Sequence, residues 1–139
     1  MLKVVTDTNT LISAFISNGN EYQILKLAKL KKVRLILSYE ILWEFEEVIK
    51  RSKFGFSKEQ IERAIEQVKS ISDIMEPNIK LEVIKEDPDD NKVIECALEG
   101  KADYIVSGDT HLLDLKQYNG IKILTSTELL QMLKEPKED

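Results

Sequence analysis

The chain has 139 residues, 32% of them charged and 42% hydrophobic, with a net charge of −5 at pH 7. That length suits one domain able to bury about two-thirds of its unfolded surface, so no disulfide framework is needed, and the one cysteine, Cys96, has no intrachain partner. The acidic balance argues against broad electrostatic wrapping of nucleic acid, so a phosphate-bearing substrate requires a local basic patch or a metal.

No apolar run approaches the roughly 18 residues of a membrane span, and Met-Leu-Lys-Val-Val opens a strand pattern rather than a signal peptide. These features predict a cytoplasmic protein without a membrane partner. In chain order, short β-branched runs alternate with helical patterns. A strand over Lys3 to Thr6 precedes helices over Thr10 to Ile16 and Glu21 to Leu30. A strand over Arg34 to Leu37 leads into helices over Tyr39 to Lys50 and Lys58 to Ile71. A strand at Leu81 to Ile84, a helix over Pro88 to Glu99, strands at Tyr104 to Val106 and Ile121 to Leu124, and a helix ending at Leu133 complete the pattern. Repeated βα units predict a three-layer α/β/α fold with a central parallel sheet, forming one domain over residues 1–133. Lys134 to Asp139 reads as a charged, frayed tail.

In open sheets of this kind ligands bind beyond the carboxyl ends of the strands, where Asp7 and Asp109 fall. Each also sits at a helix entry, and capping explains it as well as chemistry does. Asp90 is harder to explain by folding alone. With Asp87 as N-cap and Pro88 as the first helical residue, first-turn acids suit the helix dipole. At about 100° per residue, however, Asp90 falls within the apolar arc of Val93, Ile94, Cys96, Ala97 and Leu98, while Asp89 lies toward its edge. An inward carboxylate needs a donor, a cation or a raised pKa. Glu44 lies on the rim of the arc formed by Ile41, Leu42, Phe45, Val48 and Ile49, a position usual for a solvated glutamate. Trp43 faces away from that arc, which suggests a partner contact or a cover over neighbouring chain.

Taken together, VVTDTN, SYEILWEFEEVI, DPDDNKVIECALEGKADYIVSGD and IKILTSTELL give the chain a look that resembles the PIN domain family of metal-dependent nucleases over nearly its whole length. The resemblance implies that Asp7, Glu44, Asp90 and Asp109 form the acidic quartet around the metals, with Asn9 and Ser107 where supporting polar residues often stand. Asp87 and Asp89 leave the third block open by pattern alone; the helical wheel favours Asp90. Carboxylates are hard donors suited to Mg²⁺ or Mn²⁺, and one Cys with one His makes a structural zinc site a poor fit.

Phosphodiester hydrolysis is the reaction class that follows, with Asp7, Asp90 and Asp109 as ligands and Glu44 as either a ligand or the group positioning the attacking water. Thr8, Asn9, Ser107 and Thr110 are the polar residues able to bond those carboxylates or the substrate phosphate. For His111, a surface or helix-packing role is the plainer reading. Lys50, Arg51, Lys53 and Lys58, with Phe54 and Phe56 between them, are a candidate nucleic-acid contact, although an exposed loop with inward phenylalanines explains them equally. The resemblance favours RNA as substrate, and it extends to a toxin with an antitoxin protein as partner and to a homodimer. The alternatives are a non-catalytic RNA- or partner-binding module and, less well supported, a phosphatase of the haloacid dehalogenase type. The latter needs an aspartate where Asn9 stands.

Overall fold

In the computed structural model, which describes residues 1–134, six strands form one sheet. They are β1 (Leu2–Thr6), β2 (Val33–Ser38), β3 (Ser72–Met75), β4 (Tyr104–Val106), β5 (Gln117–Tyr118) and β6 (Ile121–Leu124), in the spatial order β3-β2-β1-β4-β6-β5. Every pairing is parallel except that of β5 with β6. Residues 135–139, nearly all of the expected tail, lie outside the described residues, and Lys134 closes the last helix.

The strands are covered by α1 (Thr8–Ile16), α2 (Asn20–Lys29), α3 (Tyr39–Ile49), α4 (Lys58–Ile71), α5 (Asn91–Glu99), α6 (Thr110–Leu115) and α7 (Ser126–Lys134). Strand alternation sorts the core into two faces. Val4 and Val106 pack with Ile24 of α2 and with Leu129 and Leu130 of α7. Val5 and Ile105 join the larger cluster that contains Phe45 of α3 and Val93, Ile94, Cys96 and Ala97 of α5. Phe45 is fully buried and meets Phe15 with ring centroids 5.6 Å apart, a contact whose loss on truncation would cost ~3–5 kcal/mol. Among the described residues no helix is long and apolar enough to cross a membrane.

Two expectations fail. Leu81 to Ile84 forms no strand, and the outer parallel strand is β3 instead, which follows α4 with no intervening turn. The reason lies on α5. Its residues Asn91, Glu95 and Glu99, spaced four apart on one side of the helix, accept the backbone N–H groups that a strand would have offered to a neighbour. Asn78 N–H donates to Glu99 at 3.3 Å, Leu81 N–H to Glu95 at 2.8 Å, and Val83 and Ile84 N–H both to Asn91 at 3.0 and 2.9 Å. The Asn91 amide donates in return to the carbonyls of Ile84 and Pro88 at 2.9 and 3.0 Å. A backbone satisfied by side chains has no need of a ladder.

The helix expected over Pro88 to Glu99 begins with a 3₁₀ turn at Pro88–Asp90 and becomes α-helical at Asn91. Asp87 stands before that turn, but its side chain makes no capping bond. The antiparallel β5 was not anticipated; Asn119 and Gly120, both at positive φ, make the turn into β6.

Candidate functional site

β1 and β4 lie side by side at the centre of the sheet, where the chain, having built β2 and β3 on one side of β1, returns to continue on the other. Their carboxyl ends deliver Asp7 and Asp109 to one spot. Both residues are N-caps. Asp7 Oδ1 accepts from Thr10 N–H at 2.9 Å, and Asp109 Oδ1 accepts from the N–H groups of His111 and Leu112 at 2.8 and 3.3 Å. Capping and chemistry are therefore not alternatives here: the bonds that start α1 and α6 also aim the carboxylates. Ser107 couples the two, donating its hydroxyl to Asp7 Oδ2 while its oxygen accepts from Asp109 N–H at 2.9 Å.

The 3₁₀ turn brings in Asp90. Donor atoms of Asp87, Asp90, Asp109 and His111 all lie within 4.8 Å of one another. Asp90 Oδ2 is buried and has no hydrogen-bond partner. Burial, followed by the charges of Asp109, Asp87 and Asp7, pushes its carboxyl up to about 7. Converging hard oxygen donors around an orphaned buried oxygen fit a divalent cation such as Mg²⁺ or Mn²⁺.

Glu44 is arranged differently. It is 30% exposed on the rim of α3, and its Oε2 accepts from Lys92 Nζ at 2.5 Å. Lys92 also donates to Asp89 at 2.7 Å. Burial alone would lower the Lys92 ammonium, but the bonds to Asp89 and Glu44 outweigh it and hold the pKa above the ordinary lysine value. Asp89, 65% exposed, turns outward, and its hydrogen bond to Lys92 holds its carboxyl below the usual range.

Of the supporting residues expected from the sequence, Thr8 is buried with its hydroxyl unpartnered, whereas Asn9 and Thr110 are exposed. Lys50, Arg51, Lys53 and Lys58 are exposed, but Phe54 and Phe56 pack against the core, so their rings are not free for bases. Lys53 Nζ lies 5.1 Å from the Phe54 ring. Trp43 is 61% exposed, and Tyr39, one turn earlier on α3, is exposed as well. Cys96 is buried, with its thiol pushed up to about 12 by desolvation, and acts as core.

Sequence reasoning passed over Asp87 as a cap and His111 as surface, and it overlooked Lys92. A lysine two residues after Asp90 was the available signal for the last.

Comparison with curated protein sequences gives no match. Among solved structures, PAE2754 from Pyrobaculum aerophilum shares the fold with a TM-score of 0.64 over 96% of this chain and 91% of that one, at 17% identity. The family profile described as PIN domain matches residues 3–111. With that match and a carboxylate cluster at the carboxyl edge of a mostly parallel sheet, the chain belongs to the PIN domain family, whose members in general are nucleases that use divalent metal ions and act on nucleic acid.

Proposed function

We propose that this protein is a Mg²⁺- or Mn²⁺-dependent nuclease that hydrolyses phosphodiester bonds in RNA. The observation that carries the reading is the convergence of Asp87, Asp90 and Asp109 with His111 around the unpartnered Asp90 Oδ2. Asp90 and Asp109 would hold the cation, with Asp7 beside them under the fixed aim of Ser107 and Thr10, and Asp87 and His111 within reach. A bound divalent cation supplies charge neutralisation for the carboxylates and a phosphodiester oxygen, and a lowered pKa for water. Ser107 and the N-terminal N–H groups of α1 and α6 hold the acids in one orientation, so little reorganisation is needed when substrate arrives. Glu44 stands at the rim, where a carboxylate can orient a water beside the scissile phosphate.

We extend the reading to the toxin of a toxin–antitoxin pair acting in the cytoplasm, with which the small size and the reduced, buried Cys96 are compatible. We extend it also to a homodimer, for which the exposed Tyr39 and Trp43 offer apolar surface.

The test is cleavage of labelled RNA and DNA oligonucleotides with Mg²⁺ or Mn²⁺ by the native chain, an Asp7→Asn/Asp109→Asn variant, and the single variants Asp90→Asn and Asp89→Asn. Asparagine caps helices about as well as aspartate, so the first variant removes charge while keeping α1 and α6 intact. Asp90→Asn should lose more than the ~10–100-fold typical of an outer-contact residue, and Asp89→Asn should retain most activity. Equal losses at 89 and 90, or cutting that ignores metal, would overturn the assignment; cutting of DNA alone would overturn the choice of RNA.

A further inference from the structure

Resting on the metal-dependent nuclease reading, we infer that Lys92 is a positioning residue that keeps Glu44 out of the metal's ligand set and holds it as an outer carboxylate for the attacking water. Two kinds of carboxylate stand at this edge of the sheet, distinguished by what they are bonded to. Asp7 and Asp109 accept from neutral donors, the hydroxyl of Ser107 and the N–H groups of Thr10, His111 and Leu112, and the His111 imidazole stands 3.8 Å from Asp109, too far for a hydrogen bond. Neutral donors orient a carboxylate and leave its charge uncompensated, available to a cation. Glu44 is instead bonded to an ammonium, and so is Asp89.

Lys92 is built for this task rather than caught in passing. Its side chain is only 7% exposed, and it is held by two carboxylates, one from α3 and one from the turn that carries Asp90. An ammonium confined between two acids cannot swing into solvent without leaving both charges unpaired. The donor atoms that converge within 4.8 Å belong to Asp87, Asp90, Asp109 and His111; neither Glu44 nor Asp7 contributes one, and of these two only Glu44 is bonded to an ammonium. With Oε2 held by Lys92, Glu44 keeps Oε1 free to accept from a water, while the ammonium compensates the charge that would otherwise draw the carboxylate to an ion.

The arrangement also divides the charge. Asp87, Asp90 and Asp109 remain for metal, with Asp7 beside them, while Lys92 neutralises much of the second, outer group of Glu44 and Asp89. Removing the ammonium would therefore strip no ligand from the metal and would take away a nearby positive charge, yet it would release Glu44 to rotate. Metal affinity and turnover should part company, which a purely structural lysine would not cause.

The experiment measures Mn²⁺ binding by titration calorimetry and oligonucleotide cleavage under saturating Mn²⁺, for the native protein, Lys92→Met, Glu44→Gln, the double variant and Asp90→Asn. Lys92→Met should bind Mn²⁺ no more weakly than native while its kcat falls ~10–100-fold. Glu44→Gln should show the same pattern without disturbing Lys92, so the question stays decidable even if Lys92→Met folds poorly. The double variant should lose no more turnover than the worse single, since both act through one carboxylate. Asp90→Asn alone should lose Mn²⁺ affinity. Mn²⁺ affinity weakened by about tenfold or more in Glu44→Gln or Lys92→Met would overturn the inference, as would additive losses of kcat. Native protein that binds Mn²⁺ and cleaves nothing would overturn the nuclease reading, and the affinities of the two single variants would still decide whether Glu44 stands apart from the ligands.

Discussion

Replacing Asp90 by asparagine should make the metal-free protein more stable and the metal-loaded protein less so. The Asp90 carboxyl rises from its ordinary 3.8 to about 7 because it is desolvated and faces Asp109, Asp87 and Asp7. For a fully dry group that difference would be worth ~4 kcal/mol, at ~1.4 kcal/mol per tenfold change. Asp90 is only part-buried, and water screens its neighbours, which reduces the figure to ~1–2 kcal/mol. The sign follows from proton binding. A carboxyl that holds its proton more tightly when folded than when unfolded favours the fold below about pH 4, and that favour drains away as pH rises to about 7. Without metal, then, Asp90→Asn should raise Tm by about 3–6 °C at pH 8 and by much less at pH 4.5. With Mn²⁺ at a hundred times its Kd, the native protein should gain ~2.7 kcal/mol and the variant little, so the two melting curves change places. Differential scanning calorimetry at the two pH values, with EDTA and with Mn²⁺, reads all four states. A variant less stable than native in EDTA at pH 8, or equal gains from Mn²⁺, would refute the reasoning.

Three further outcomes are expected. Ser107→Ala should destabilise the fold by ~1–3 kcal/mol, because the part-buried Asp109 N–H loses its acceptor and the buried Asp7 loses a donor; urea unfolding that shifts by less than about 0.5 kcal/mol would remove Ser107 from this role. Asn91→Ala deletes four bonds to the segment over residues 76–88, and should cost ~2–4 kcal/mol while raising hydrogen exchange at Val83 and Ile84; unchanged protection of those two amides would show that α5 does not order the segment. Replacing Lys50, Arg51 and Lys53 together by alanine should weaken single-stranded RNA binding and flatten the slope of log K against log salt by ~2, at about 0.7 per phosphate contact; an unchanged slope excludes this loop from the substrate path.

The parts of this protein that were legible in its residues are those written in short-range periodicity. The short apolar, β-branched runs in LKVVT and VRLILS mark strands buried on both faces, and the arc of Ile41, Leu42, Phe45 and Ile49 sets the inward side of α3 without reference to anything distant. The same local geometry turns Asp90 inward and Asp89 outward on the turn leading into α5. Asp7 and Asp109 could be assigned to strand ends because strand and cap signals adjoin in sequence. What tertiary docking alone decided joins residues far apart in the chain. β3 rather than Leu81 to Ile84 became the outer strand because Asn91, Glu95 and Glu99 claim the latter's backbone, a competition no local pattern records. Asp109 and His111 approach Asp90 only once α5 packs against β4, whereas Asp87 is held beside it by the local turn. The resemblance assigns Glu44 to the acidic quartet, yet its partner is Lys92, 48 residues away, since an ion pair forms wherever packing brings opposite charges together, whatever their spacing in the chain.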